Sequence, residues 1–323
     1  MAKIYGNLDP KDDYTHELGP EPNFNESMYF NFFDAEKKIG GFLRMGNRAN
    51  EGYAEMTVAI YLPGGRVLFA FERPQIADNS AFNAGGLRFE VQEPTQLLHT
   101  IYRGPVVDLT DPRAMADPRK AFTENPTREI SLDLVHEAIG PMYGHSGSRQ
   151  EEGRAPEDSF AKAHYEQHMQ VTGSLDFGDE QHEIFAHGLR DHSWGPRSWQ
   201  AIEGYEWLTM NFGAEMGVMI SIIRRDGHAK RGGVLVRGDR FDGIREVEID
   251  IEYEDNQLYH RALRVRFKTT GGESFDVRGE VEGFLPLRNR RGGLTTHIGE
   301  GMTRWTSDGL VGYGLSELLR QVD

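Results

Sequence analysis

The chain has 323 residues, enough for two domains or one large all-β unit, and it contains no cysteine, which excludes disulfides, thiolate nucleophiles, Cys-ligated zinc and iron–sulfur clusters. Its net charge of −15 argues against nucleic acid and against an anionic membrane surface as partners. The opening Met1-Ala2-Lys3-Ile4-Tyr5-Gly6-Asn7 has no apolar core of signal-peptide length, and no stretch approaches the roughly 20 apolar residues of a membrane span, so a soluble cytoplasmic protein is expected.

In chain order, the strand period dominates. Tyr53 to Leu62 alternates, meets the turn Pro63-Gly64-Gly65 and resumes at Arg66 to Phe71, which predicts a hairpin. Asp108 to Asn125, with its Asp-Pro pairs, reads as a long loop. Ile130 to Ala138 alternates again. Tyr143 to Pro156, rich in glycine and carrying His145, Arg149 and Arg154, reads as a second long loop able to bring His145 over a cavity mouth. Pro156 to Ala163 has the composition of a short helix start. Met169 to Phe177 alternates up to the turn Gly178-Asp179-Glu180. Glu246 to Tyr253 and Arg261 to Lys268 are alternating runs of opposite charge, placed to face each other across a hairpin. The pairs Gly232-Gly233, Gly271-Gly272 and Gly292-Gly293 read as turns, without the strand–helix context of a dinucleotide site. Ser316 to Arg320 predicts a short C-terminal helix capped by Ser316. The expected fold is all-β, mostly antiparallel with few short helices: two tandem β-barrel or sandwich domains, residues 1–195 and 196–323.

The densest chemistry lies in Gly188-Leu189-Arg190-Asp191-His192-Ser193-Trp194-Gly195-Pro196-Arg197-Ser198-Trp199, which holds two of the four tryptophans. An Asp-His pair can hold and move a proton, an indole face can stabilise a cation, and an arginine can fix a carboxylate or stack on the indole. The glycines and proline let the backbone turn, so these groups could converge from a corner. The alternative is a purely structural corner with Arg197 stacked on Trp194.

This run resembles the signature of the lipocalin-like (calycin) proteins that include AttH-type proteins and hydroxyneurosporene synthase, the bacterial carotenoid hydratase. Asn25 to Tyr29 with Gly40 to Gly46 is similar to the opening strands of that family. Tyr165-Glu166-Gln167 before Val171-Thr172-Gly173 is similar to the strand before the signature. Gly301 to Trp305 and Gly312 to Glu317 are similar to its closing segment. The resemblance spans nearly the whole chain, although only Arg-Asp-His-Ser-Trp-Gly is highly specific. It implies two lipocalin-like domains with a cavity for an apolar or amphipathic small molecule, and a family of hydratases, cyclases and proteins without known activity.

Protonating an unactivated alkene takes an acid, an aromatic shelter for the cation, and a base. Asp191 is the candidate acid, His192 its partner, Trp194 the cation-facing wall, and Arg197 the orienting group or an anchor for a substrate carboxylate. In an apolar cavity the carboxyl pKa rises, leaving the acid protonated near neutral pH. Adjacent strand residues point to opposite faces, so Asp191 and His192 meet one cavity only if the backbone turns there. Trp199, Tyr205 and Trp207 are candidate ligand contacts, the last two sharing one strand face. Glu203 and Glu206 are candidates for a second carboxyl. His182, His187 and His192 alternate in face, and His164 and His168 lie on a strand-like run, so no metal or cofactor is expected. Three readings follow. The first is a cofactor-independent acid–base lyase or isomerase of hydratase, dehydratase or cyclase type, acting on a terpenoid, steroid or aromatic molecule. The second is a non-catalytic carrier for a hydrophobic small molecule, and the third a structural protein whose barrels are filled. The oligomeric state, a homodimer included, stays open.

Overall fold

The structure, a computed structural model, describes residues 2–147, 155, 160 and 162–322. Among the described residues there are twenty strands. The first twelve are β1 (Ile4–Tyr5), β2 (Phe24–Asp34), β3 (Ile39–Arg48), β4 (Tyr53–Tyr61), β5 (Val67–Glu72), β6 (Phe82–Ala84), β7 (Leu87–Glu93), β8 (Leu97–Leu109), β9 (Thr127–Ala138), β10 (Met142–His145), β11 (Ala163–Phe177) and β12 (Glu180–Pro196). Their pairings run in a ring, β2–β3–β4–β5–β8–β9–β11–β12 and back to β2, antiparallel throughout. Strands β6 and β7 extend from β8, while β10 and the parallel β1 extend from β11. The remaining eight are β13 (Gly204–Phe212), β14 (Met216–Arg225), β15 (His228–Arg237), β16 (Arg240–Tyr253), β17 (His260–Thr269), β18 (Ser274–Arg291), β19 (Leu294–Ser307) and β20 (Leu310–Val322). They form a closed up-and-down barrel in sequence order.

Strand alternation divides the side chains into two sets. Met28, Phe30 and Phe32 join Leu43, Val58, Leu98, Leu132 and Val171 inside the first ring. Tyr29 and Phe33 point outward and pack with Leu285, Met302 and Tyr313 of the second barrel. Leu208, Met210, Val218, Val265 and the fully buried Trp305 fill the second barrel. Each such aliphatic or aromatic side chain contributes on the order of 1.5–3 kcal/mol when fully buried. Both barrels are therefore packed solid, and the space for a ligand lies between them, on their outer faces. A filled barrel consequently does not imply a protein without a pocket.

The barrels meet closely. Asn31 Nδ2 donates to Thr209 Oγ1 at 3.2 Å, and His168 Nδ1 lies 2.8 Å from Asn211 Oδ1. Gly217 lies against the His168 ring, where a Cβ would come within 2.5 Å of it. His168 is thus an interface residue.

The Tyr53–Phe71 hairpin, the Ile130–Ala138 strand and the turn after Phe177 appear as expected. So does the charged hairpin, in which Arg266 pairs with Glu248 at 3.1 Å and with Asp250 at 2.9 Å. Other expectations are corrected. Asp108 to Asn125 is no loop: Asp111 caps a 3-10 turn at Pro112–Ala116 and Asp117 caps helix α1 (Pro118–Glu124), each with proline in the first turn. Ser316 to Arg320 is the buried middle of β20, because pairing on both sides overrides its helical composition. Gly232-Gly233 lies inside β15, not in a turn. The expected loop from Tyr143 to Pro156 is corrected at its start, where Tyr143 to His145 belong to β10, and most of its remainder lies outside the described residues. The helix at Pro156 to Ala163, and Arg149 and Arg154, fall on residues outside those described except for Phe160 and the terminal Lys162 and Ala163.

Candidate functional site

Between the barrels lies a cavity of about 670 Å³, walled by Phe42 and Phe69 of the first barrel, Phe160 just before β11, Trp199 between β12 and β13, and Tyr205 and Trp207 of the second barrel. Its polar centre comes from the β11–β12 hairpin. Phe177 pairs with Glu180 across a two-residue turn, so the antiparallel register sets Glu166 directly opposite Asp191 and His164 opposite Ser193. Glu166 and Asp191 occupy the outward face of the ring and point into the cavity.

The two carboxyl groups are in unlike environments. Glu166 is buried, and burial, reinforced by the nearby Asp191, holds its pKa well above the carboxylate range. Trp207 Nε1–H donates to Glu166 Oε1 at 2.7 Å, while Glu166 Oε2 is buried without a hydrogen-bond partner. Asp191 keeps part of its surface open to the cavity but lies deep in the protein. Burial lifts it to about 6, moderated by Arg197, His192 and Arg44. Two interacting carboxyls whose surroundings push them apart share one proton near neutral pH, and together they offer an acid and a base. Glu166 is the second carboxyl that sequence reading sought at Glu203 or Glu206.

A second carboxyl pair comes from the other barrel. Glu300 on β19 is the cross-strand partner of Glu317 on β20, and both line the cavity. Burial pushes each up to about 8; Arg44 opposes this in both, and Asp191 adds to it in Glu317. In the unfolded chain a glutamate titrates near 4.5, so between 4.5 and about 8 the folded state holds more protons. Their contribution to stability is complete below the lower value and is lost as pH rises through the upper one. Glu300→Gln, neutral at every pH, is expected to flatten the fall in melting temperature between about pH 5 and pH 8. An unchanged slope in thermal melts would show that Glu300 is already ionised in that range.

The structure separates the residues of the signature run. Strand β12 continues unbroken to Pro196, with Gly195 at φ +116°, so there is no corner at Asp191 and alternation holds. His192 therefore faces away from Asp191: its Nε2 lies 3.0 Å from Glu26 Oε1 and its Nδ1 3.2 Å from the Tyr165 hydroxyl, which corrects its expected role as partner of Asp191. Trp194 shares that face and stacks on His16 at 3.9 Å, so it is no wall of the cavity. Arg197 does line the cavity, but it stacks on Phe160 and Trp199, not on Trp194, and donates from Nε to the Phe160 carbonyl at 3.0 Å. Tyr205 and Trp207 share the cavity face of β13, as their spacing predicts. His145 lies on the cavity wall beside His164, their rings 5.0 Å apart. Glu203 is not a cavity residue: its carboxylate accepts the Gly227 N–H at 2.7 Å. Glu206 is held by Arg224 instead.

Donor atoms of His164, Glu166 and Asp191 lie within 4.8 Å of one another, as do those of His16, Glu26 and His192. In the second set the histidines are already hydrogen-bonded to Glu26, at 2.6 and 3.0 Å. In the first, burial keeps His164 neutral, its pKa pushed down to about 3, the form in which an imidazole could serve as a ligand.

The architecture recurs among solved structures. A protein assigned as an AttH from Nitrosomonas europaea aligns with a TM-score of 0.58 at 17% identity, over 97% of this chain and 96% of that one. CghA in complex with Sch210972 aligns at 0.55 and 13% identity, over 96% of this chain and 94% of that one. CghA alone aligns at 0.55 and 12%, with the same coverage. At such identities the likeness shows a shared fold, and the AttH-type resemblance read from the sequence holds at that level. No curated protein matches the chain in sequence. A family described as a domain of unknown function (DUF7064) matches residues 9–322.

Proposed function

We propose that this chain, which belongs to the DUF7064 family, is an enzyme that binds an apolar or amphipathic small molecule between its barrels and moves protons on it, as a cofactor-independent lyase or isomerase of hydratase, dehydratase or cyclase type. The observation that carries this reading is the cross-strand pair Glu166–Asp191, one carboxyl held protonated and the other titrating near 6, in an aromatic cavity. A carrier needs no such pair, and burying two unneeded carboxyls costs stability. CghA, which shares the fold, has been crystallised with a small molecule, and this supports the binding half of the reading.

In the forward step the Glu166 carboxyl gives its proton to one carbon of a double bond, and the electron pair of that bond forms the new C–H bond. The cation left on the neighbouring carbon lies among the faces of Trp207, Tyr205 and Trp199, which stabilise positive charge. Asp191, ionised, then removes a proton from the adjacent carbon to give an isomer, or from a water molecule that adds to give an alcohol. The proton returns from Asp191 to Glu166 within the pair, and the enzyme is restored. Trp207 holds Glu166 in one orientation through its N–H.

The test is incubation of the protein in D₂O with terpenoids, steroids and aromatic acids, followed by mass and NMR analysis of the recovered ligands. Deuterium incorporation, an isomer, or a product changed by one water is expected for at least one ligand class. Tight binding with every ligand returned unlabelled and unchanged would favour the carrier reading instead.

A further inference from the structure

Among the described residues, every buried carboxyl but two has a hydrogen-bond donor. Asp13 takes one from Arg190, Glu26 from His16 and His192, Asp108 from Arg66, Glu206 from Arg224 and Glu166 from Trp207, and Asp12, Asp34 and Glu55 are satisfied likewise. The exceptions are Glu300 and Glu317, which are 5% and 8% exposed. Neither side chain forms a hydrogen bond or an ion pair with a described residue, and Glu300 Oε2 is shielded without a partner. Both residues line the cavity. A buried polar group left unbonded costs stability, so two of them side by side on a cavity wall call for a partner that arrives with the ligand.

Strand register fixes where they stand. Glu300 is the cross-strand partner of Glu317, and Glu317 that of Trp207, whose indole N–H holds Glu166. Neighbouring strands lie about 4.8 Å apart, so the two carboxyls sit one and two strands, roughly 5–10 Å, along the wall from Trp207. The groups facing them from the first barrel leave the carboxyls unbonded. The Tyr61 hydroxyl donates to the Glu300 main-chain carbonyl at 3.0 Å, and the Tyr29 hydroxyl accepts from Asn31 Nδ2 at 3.4 Å. Arg44 is paired with Glu55 at 3.5 Å and acts on both glutamates only through space, as Asp191 and Arg197 act on Glu317.

We propose that Glu300 and Glu317 are a recognition pair for an uncharged oxygen of the ligand, a hydroxyl or a ketone carried on its apolar body some bonds away from the carbons that react at Glu166 and Asp191. This deepens the reading of the site as an enzyme for apolar molecules, and the placing of the reacting carbons rests on that reading. Near neutral pH burial keeps both carboxyls largely protonated, so each offers one O–H donor and one carbonyl acceptor. A ligand hydroxyl accepts from one and donates to the other, and a ketone accepts from both. A hydrocarbon of the same shape leaves both unbonded, which is how a site built for hydrogen bonds rejects the analogue that lacks them.

The experiment is displacement of prebound Nile red, a neutral apolar dye, by cyclododecane, cyclododecanol and cyclododecanone, which share one ring and size. The quantity read is the affinity of the alcohol or ketone relative to the hydrocarbon, compared between proteins so that the ligands' different solubilities cancel. This ratio is expected to fall about tenfold in Glu300→Leu and in Glu317→Leu for at least one of the two oxygen compounds, which thereby names the oxygen. It should persist in Glu300→Gln, whose amide keeps a donor and an acceptor. The Leu variants should melt no lower than wild type, because each removes an unbonded buried polar group, and Met replaces Leu if either fails to fold. A ratio unchanged in both apolar variants, or lost equally in Glu300→Gln, overturns the proposal. The assay needs no turnover, so the two readings fail separately. An oxygen preference that depends on these glutamates, in a protein that converts no ligand, would count against the acid–base chemistry and leave the recognition pair standing.

Discussion

Asp191→Asn is expected to lower turnover by a factor on the order of 100 to 10,000 while leaving the fold and ligand binding intact, since proton transfer by a positioned group typically contributes that much. Asn cannot accept a proton, so the step that forms the isomer or activates water is lost. Glu166→Gln is expected to lose as much by removing the proton donor, although its amide oxygen still accepts from Trp207. Because the two carboxyls act as a unit, the double variant should be little worse than either single one. The wild-type profile should rise as Asp191 ionises near pH 6, then decline at the higher pH where Glu166 loses its proton. A flat profile through pH 6, or an Asp191→Asn variant with full turnover, would remove Asp191 from the chemistry.

The path to that pair shows what could be read before the structure. Asp191 was visible because it sits in a dense run of functional residue types. The expected partnership with His192 failed for the reason strand geometry supplies: neighbours on β12 point apart, and the strand did not turn. Glu166 was recoverable in principle. The Met169–Phe177 strand and its turn were legible, and counting outward from Phe177 and Glu180 in antiparallel register reaches Glu166 and Asp191 together. Nothing comparable pointed to Glu300, and Glu317 lies in the Ser316–Arg320 run of helical composition that sheet pairing overrides. The all-β class and the hairpins followed from alternation alone. That both barrels are solid, with the cavity outside them, did not, because an alternating strand has one face for a barrel interior and one for the exterior, and either can be apolar. Phe42 and Phe69 face the cavity while Leu43 and Leu68 fill the barrel, and their composition does not distinguish them.

Arg190 accounts for the other half of the signature run. It lies on the inward face of β12, fully buried, where Nη1 donates to Asp13 Oδ1 at 2.6 Å and to the Tyr165 hydroxyl at 2.9 Å, and Nε donates to Gln167 Oε1 at 3.0 Å. Asp13 also accepts the Thr95 N–H, and His16 binds Glu26, so the N-terminal segment is tied into the ring by buried charge. Burial alone would raise the Asp13 and Glu26 pKa values. Arg190 outweighs it for Asp13, and His16 with His192 outweighs it for Glu26, which falls to about 2. Carboxyls lowered in this way add stability above their unfolded values that is lost as pH falls through the folded ones. Arg190→Ala leaves the Asp13 carboxylate buried without its cation and is expected to cost about 3–5 kcal/mol in urea unfolding. Pairing Arg190→Met with Asp13→Asn removes both charges and should restore much of that loss, because the penalty comes from the unpaired charge and not from the missing attraction. Tyr165 and His192 alternate along the same two strands with Glu166 and Asp191, so this network also fixes the backbone that sets the Glu166–Asp191 pair. The stability lost in Arg190→Ala should therefore be accompanied by reduced turnover at temperatures where the variant is still folded. If Arg190→Ala melts within about 1 kcal/mol of wild type, the buried charges do not anchor the N-terminal segment, and the back of the site must be held by its apolar packing.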